Sequence, residues 1–206
     1  MTQTVAQLCM SLDGFVAGPD QSLENPIGVG GMAVMQWLLH VGEPGHEADA
    51  GLRDELVERG GAYVMGRNMF GPVRGAWDSD HQGWRGWWGD EPPYHAPVYV
   101  LTHHPHEPME MAGGTTFHFV TQGFAAAHAL AREAAGDRDV DVAGGGSTVR
   151  QALGSGLLDE LVLHVVPVLL GRGERLLDGL DDPGLTPIGV VESPHVTHIR
   201  YRVGRG

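Results

Sequence analysis

Residues 139–152, Asp-Val-Asp-Val-Ala-Gly-Gly-Gly-Ser-Thr-Val-Arg-Gln-Ala, carry the plainest chemical signal in the chain. A short valine-containing run ends in Gly144, Gly145 and Gly146, and Ser147 and Thr148 open a helix directly behind it. Residues without Cβ let main chain approach a bulky anion. A helix N-terminus adds N–H groups that lack intrahelical partners, and a partial positive charge. Together they make a phosphate cradle that needs little side-chain charge, which points to a nucleotide or dinucleotide ligand. A Gly-x-Gly-x-x-Gly fingerprint fits Gly144 and Gly146 but meets Val149 at its third place, and no Gly-Lys-Ser/Thr follows. A tight strand-to-helix turn with no ligand is the rival reading.

Composition narrows the classes. The 206 residues allow one well-buried domain or two small ones, and 42% apolar with 19% charged residues is the balance of a soluble globular chain. A net charge of -13 argues against holding nucleic acid or an anionic membrane by bulk electrostatics. Cys9 is the only cysteine, so an intrachain disulfide and a cysteine-rich zinc site are excluded. With no signal-like start and no apolar run of membrane length, the expectation is a cytoplasmic protein without membrane or nucleic-acid partners. The 32 glycines and 13 prolines imply long loops around a compact core.

The elements that would position the cradle alternate. Strands are expected over residues 4–10, 62–65, 97–102, 115–120, 139–143 and 160–168, with a closing antiparallel pair over 185–191 and 195–203. Helices are expected over 32–39, 49–59 (Leu52, Leu56 and Val57 on one face), 123–135 and 147–153, with a short one after Gly66. Residues 71–96, with Trp77, Trp84, Trp87 and Trp88, read as loop. Such alternation implies a mostly parallel sheet whose ligand lies beyond the carboxyl ends of its strands. Gly66-Arg67-Asn68, Leu101-Thr102-His103 and the glycine triplet are the chemically distinctive strand ends, and a parallel sheet brings them to one rim.

These strand ends, in this order, resemble the dihydrofolate reductase-like fold, and more closely the family of the C-terminal reductase domain of the bacterial riboflavin-biosynthesis protein RibD. The matching residues are 11–17 (Ser-Leu-Asp-Gly-Phe-Val-Ala), 64–70 (Val-Met-Gly-Arg-Asn-Met-Phe), 100–102, Gly144 to Ser147, 158–161 and 167–173. The resemblance implies a single α/β domain over residues 1–206: a mostly parallel sheet flanked by helices, with an antiparallel C-terminal hairpin. It also implies an NADPH-dependent reductase, and a homodimer.

By the same resemblance, Gly144, Gly145, Gly146, Ser147 and Thr148 hold the pyrophosphate. Gly66, Arg67 and Asn68 lie on the adenine side, with Arg67 suited to a bidentate pair with the 2′-phosphate. A surface arginine in an ion pair is the plainer reading of Arg67. Leu101, Thr102 and His103 flank the adenosine. Residues 11–17 cover the nicotinamide, with main chain near Cys9, Val16 and Ala17 meeting its carboxamide. Asp13 either serves catalysis, orienting substrate or donating a proton from a raised pKa, or caps its own turn before Gly14. Asp49 and Asp54 lie in the region of the folate reductases' proton-donating carboxylate.

Trp84 and Trp88 either wall a flat aromatic substrate or face a second subunit. Trp37 is either another substrate wall or core. His103, His104 and His106 are close enough in sequence to suggest a metal, but they share no regular element and read first as solvated loop residues, so no metal is expected. The acceptor is expected to be a flat heterocycle or carbonyl compound. The alternatives are a riboflavin-pathway reductase acting on 5-amino-6-(5-phosphoribosylamino)uracil, and a nucleotide-binding module without turnover.

Overall fold

The structure, a computed structural model, describes residues 2–71, 75–77 and 84–204, without the side chains of Val57 and Glu58. The expected place of Val57 on its helix face, and parts of the 71–96 loop, therefore lie outside the described residues.

Parallel pairing joins β8 (Glu160–Val166), β1 (Thr4–Ser11), β7 (Asp139–Gly144), β3 (Gly60–Gly66), β4 (Pro97–Leu101) and β6 (Thr116–Val120), in that order across the sheet. β11 (Val196–Arg202) runs antiparallel beside β8 and carries β10 (Thr186–Ser193) at the edge, while the two-residue β5 (Met109–Glu110) borders β6. The result is a nine-stranded, mostly parallel sheet with an antiparallel C-terminal hairpin. A separate pair, β2 (Phe15–Ala17) with β9 (Glu174–Arg175), was not apparent from the sequence.

Two faces divide the core. On one face α3 (Phe124–Ala135) and α4 (Gly146–Gly154) cover Ala6, Val64, Val140 and Val142. Ala127, Ala131 and Ala135 recur every four residues, the period that keeps one stripe of a helix inward, and their size lets α3 lie close to β3 and β4. The opposite face is less uniform. An aromatic cluster of Tyr63, Phe70, Tyr94 and Phe117 fills one end, and Cys9, Val34, Trp37, Val166 and Val196 fill the other. Between these clusters the sheet is open, and the cavity described below begins there.

Residues Gly31–His40, expected as an ordinary helix, form a 310 helix instead. Gly31, Val34 and Trp37 are its buried residues, three apart, and a three-residue turn stacks that spacing on one side. α1 (Glu47–Glu58) and α2 (Arg67–Phe70) begin close to where the sequence places them. No helix among the described residues is long and apolar enough to cross a membrane.

Candidate functional site

The carboxyl ends of β3, β4 and β7 do meet at one rim, and a cavity of about 950 Å³ opens there. Its wall includes Gly66, Arg67 and Asn68 after β3, Leu101, Thr102 and His103 after β4, and Gly145 to Thr148 after β7. Val16 and Ala17 of β2 close it from above. Gly144 lies just behind the wall, joined to Gly145 by a cis peptide bond. Its φ of 107° is one that side chains rarely adopt. A Cβ at Gly66 would stand 2.5 Å from Thr148 Oγ1, so glycine there lets the end of β3 touch the start of α4.

On the β3 side, the Arg67 guanidinium lies over the Trp77 ring, 2.9 Å from its centroid, and its nitrogens are buried. Trp77 Nε1 donates to the His104 carbonyl at 3.0 Å. Thr102 Oγ1 accepts from the His104 amide and donates to the His104 carbonyl, so this buried hydroxyl shapes its own loop as well as lining the cavity. His106 packs on the Trp77 and Phe119 rings. Among the described residues, His103, His104 and His106 do not converge as a ligand set.

The α4 end departs from the expected open cradle. Glu174, brought in by the β2–β9 pairing, accepts the Ser147 N–H at 2.8 Å and an Arg150 Nη2 bond at 3.2 Å through the same oxygen. A carboxylate thus already sits at the positive end of α4, in the place where a phosphate would go. Nothing in the residues around 174 announces this, because strands of two or three residues leave no periodic trace.

Asp13 is a clamp. Its carboxylate accepts the Ser11 hydroxyl at 2.6 Å and the Leu170 and Gly171 amides at 3.1 and 2.7 Å. The Ser11 bond first, then the amides, outweigh partial desolvation and hold its pKa down to about 2. The raised pKa expected of a proton donor is therefore not found, and the turn reading fits, extended to a tie between two distant loops.

The tryptophans separate. Trp37 is fully buried, donates from Nε1 to Cys9 Sγ at 3.2 Å and packs on His164 and His198, so it is core and not a substrate wall. Trp84 donates to the Phe70 carbonyl at 3.0 Å and rests edge-on against Trp87. It anchors the loop, while Trp87 and Trp88 face the cavity. Asp49 is sealed among His46, Ser193 and His198, whereas Asp54, paired with Arg53, reaches the cavity mouth.

Sequence reasoning missed the floor. Past the rim the cavity runs onto the open sheet face, where Gln7, Cys9 and Asp141 line it. Asp141 is buried in the middle of β7, and among the described residues its Oδ2 has no hydrogen-bond partner. Burial first, opposed by Arg59 and reinforced by Asp139, pushes its pKa up to about 8. It is mostly protonated at pH 7; further along the same sheet face, four residues past the Val5 that pairs with Asp141, burial pushes the Cys9 thiol up to about 11 against the Trp37 hydrogen bond. Asp141 alternates with Val140 and Val142, a pattern that does not tell a solvent face from a cavity wall. In the fold Asp141 lies beside Tyr63 of β3, itself buried against Tyr94, and that tertiary cover leaves no signal within residues 139–142.

Comparison with known proteins agrees with this geometry. Over 99% of this chain and 100% of the other, the fold superposes on a protein assigned to riboflavin biosynthesis from Shewanella sp. PV-4, with a TM-score of 0.61 and 23% identity. A pyrimidine reductase-like protein from Corynebacterium diphtheriae matches over 100% of this chain and 93% of its own, with a TM-score of 0.56 and 18% identity. Dihydrofolate reductase from Enterococcus faecalis, in complex with NADP(H), matches over 98% and 96%, with a TM-score of 0.55 and 12% identity. A search of curated proteins by sequence gives no match. The RibD C-terminal domain family matches residues 3–198, nearly the whole sheet with both of its helical faces, and the chain belongs to that family.

Proposed function

We propose that the protein is an NADPH-dependent reductase acting on a small, flat heterocyclic or carbonyl acceptor. The carrying observation is that the rim segments and the sheet-face floor share one cavity, with main-chain N–H groups at one end and a neutral carboxylic acid at the other. The residues fit the cofactor. A Cβ at Gly145 would meet nothing within 4 Å among the described residues, which leaves room for a diphosphate against the main chain. The Ser147 amide is a donor already shown to hold an anion.

In this reading Gly144 to Thr148 hold the pyrophosphate. Arg67 and Asn68, with Leu101 to His103, hold the adenosine end. Val16, Ala17 and main chain near Cys9 orient the carboxamide. The bound dinucleotide supplies the hydride. Trp87 and Trp88 wall the acceptor and help exclude water, and the protonated Asp141 faces it from the floor, able to give a proton to a developing anion. Asp13 positions the β2 segment through its tie to Leu170 and Gly171.

Family membership favours a second, narrower reading, reduction of a riboflavin-pathway pyrimidine such as 5-amino-6-(5-phosphoribosylamino)uracil. Arg53 at the cavity mouth suits its phosphate. Homodimer formation accompanies both readings; β10 offers an exposed edge with Ile188, Val190 and Val191, and light scattering after size exclusion tests it.

Calorimetry with NADPH and NADH, followed by absorbance loss at the nicotinamide band with pteridines, flavins, quinones and the ribosylaminopyrimidine, tests the reading. Arg67→Ala is expected to weaken NADPH binding about 10- to 100-fold, from loss of a charge-assisted pair of about 1.5–3 kcal/mol, and to leave NADH binding nearly unchanged. Binding of neither dinucleotide overturns the proposal. Binding without turnover on any acceptor favours a nucleotide-binding module.

A further inference from the structure

Three histidines from three stretches of chain meet on the flank of the molecule, away from the rim. His40 ends the 310 helix, His46 precedes α1, and His195 lies in the turn between β10 and β11. One ring nitrogen of each falls within 4.8 Å of the other two. His46 is buried, His40 half-buried and His195 exposed. Among the described residues no hydrogen bond joins the three rings to one another, although His195 stacks on His40 with centroids 4.2 Å apart.

The surroundings of the rings carry the argument further than proximity does. His40 Nδ1 stands 3.0 Å from Glu43 Oε2, and His46 Nδ1 stands 2.7 Å from Asp49 Oδ2. A carboxylate at Nδ1 draws the proton of a neutral ring to that side and leaves the lone pair on Nε2. That is the outer-shell arrangement which orients histidine ligands at metal centres. The Asp49 carboxylate is itself fixed from the hairpin, by Ser193 Oγ at 2.8 Å and His198 Nε2 at 3.1 Å. Two of the three rings therefore have a carboxylate that favours this tautomer and supports their orientation.

We propose that His40, His46 and His195 form a binding site for a divalent transition-metal ion of borderline softness, with Zn2+ the best fit. Three imidazole nitrogens suit such an ion, whereas Mg2+ and Ca2+ require oxygen-rich shells. Bonds of about 2.0–2.1 Å in a tetrahedral shell draw the nitrogens to roughly 3.4 Å apart. The exposed His195 and half-buried His40 can turn to close that gap, while His46 stays fixed. Water takes the remaining position. The ion would staple the 310 helix, the start of α1 and the hairpin turn. Met35 and Leu38 of the 310 helix and Leu56 of α1 also line the cavity, so the staple braces that wall. The site does not depend on the reductase reading.

Untagged, chelator-treated protein titrated with Zn2+ by calorimetry tests it, with Co2+ absorption spectra as a second readout. The expected result is one ion per chain, a higher melting temperature with Zn2+, and tetrahedral Co2+ bands. His195→Ala and His40→Ala each weaken binding at least 10-fold, the double variant abolishes it, and His103→Ala leaves it unchanged. His195 is exposed, so its variant folds even if a substitution at buried His46 does not. The proposal is overturned by no uptake at about 100 μM Zn2+, a level that would reveal any site of useful affinity. Uptake that survives in the His40→Ala/His195→Ala double variant overturns it equally.

Discussion

Glu174→Ala offers a test with opposite signs in two assays. Glu174 accepts a charge-assisted bond from the Ser147 amide at 2.8 Å and pairs with Arg150 at 3.2 Å. An anion at a helix start contributes about 0.3–1 kcal/mol, rising to about 2 where partly buried; Ser147 is exposed, while Glu174 and Arg150 are each about three-quarters buried. Truncation should therefore lower the melting temperature. A phosphate can take the Ser147 amide only when the carboxylate leaves it, so the same free energy is subtracted from dinucleotide binding in the wild type. Removing it should tighten NADPH binding by about 1–2 kcal/mol, a factor of roughly 5–30. Glu174→Gln, which keeps an acceptor but not the charge, should fall between, and the gap between Ala and wild type should narrow in high salt. The assays are calorimetric titration and thermal unfolding of the same preparations. If the Ala variant binds NADPH no better than wild type, the idea that a phosphate displaces this carboxylate is wrong.

The two perturbed carboxyls predict opposite pH trends. Asp141 has a folded pKa raised to about 8, so the folded state retains a proton that the unfolded chain gives up above its ordinary value near 3.8, and stability drains as pH rises between them. Asp141→Asn should therefore raise the melting temperature, by more at pH 8 than at pH 5, while lowering kcat more than it changes KM. An unchanged kcat would remove Asp141 from the chemistry. Asp13 is lowered to about 2, so its contribution is complete above about pH 4 and is lost as pH falls towards 2. The melting-temperature deficit of Asp13→Asn should accordingly shrink from pH 5 to pH 2.5, and a deficit constant across that range would contradict the clamp.

Much of the rim was legible because its parts are punctuated. Gly66, the Leu101-Thr102 end and the glycine triplet each close an apolar run with residues that suit a strand end, and their convergence follows from parallel pairing alone. What stayed hidden depends on tertiary neighbours. Trp37 in isolation suits a wall as well as a core; the Cys9 thiol and the two histidines packed on it decide for the core. Asp141 alternates with valines as a surface carboxylate would, and only its place beside the buried Tyr63 and Tyr94 makes it interior. Glu174 is displayed at the rim by a pairing too short to leave a pattern in the sequence.

The place of β1 in the strand order has a consequence for how the molecule is made. This strand is made well before either of its partners yet lies mid-sheet, where Thr4 pairs with Val140 and Val5 with Glu160. At about 5–20 residues per second, roughly 8–30 s of translation separate its appearance from that of its partners. Throughout that interval a mostly apolar segment has neither of its eventual neighbours. The nascent protein is therefore most exposed to aggregation and to holdase capture before residues 139–166 are synthesised, and truncated chains ending near residue 135 should aggregate more than chains that include them.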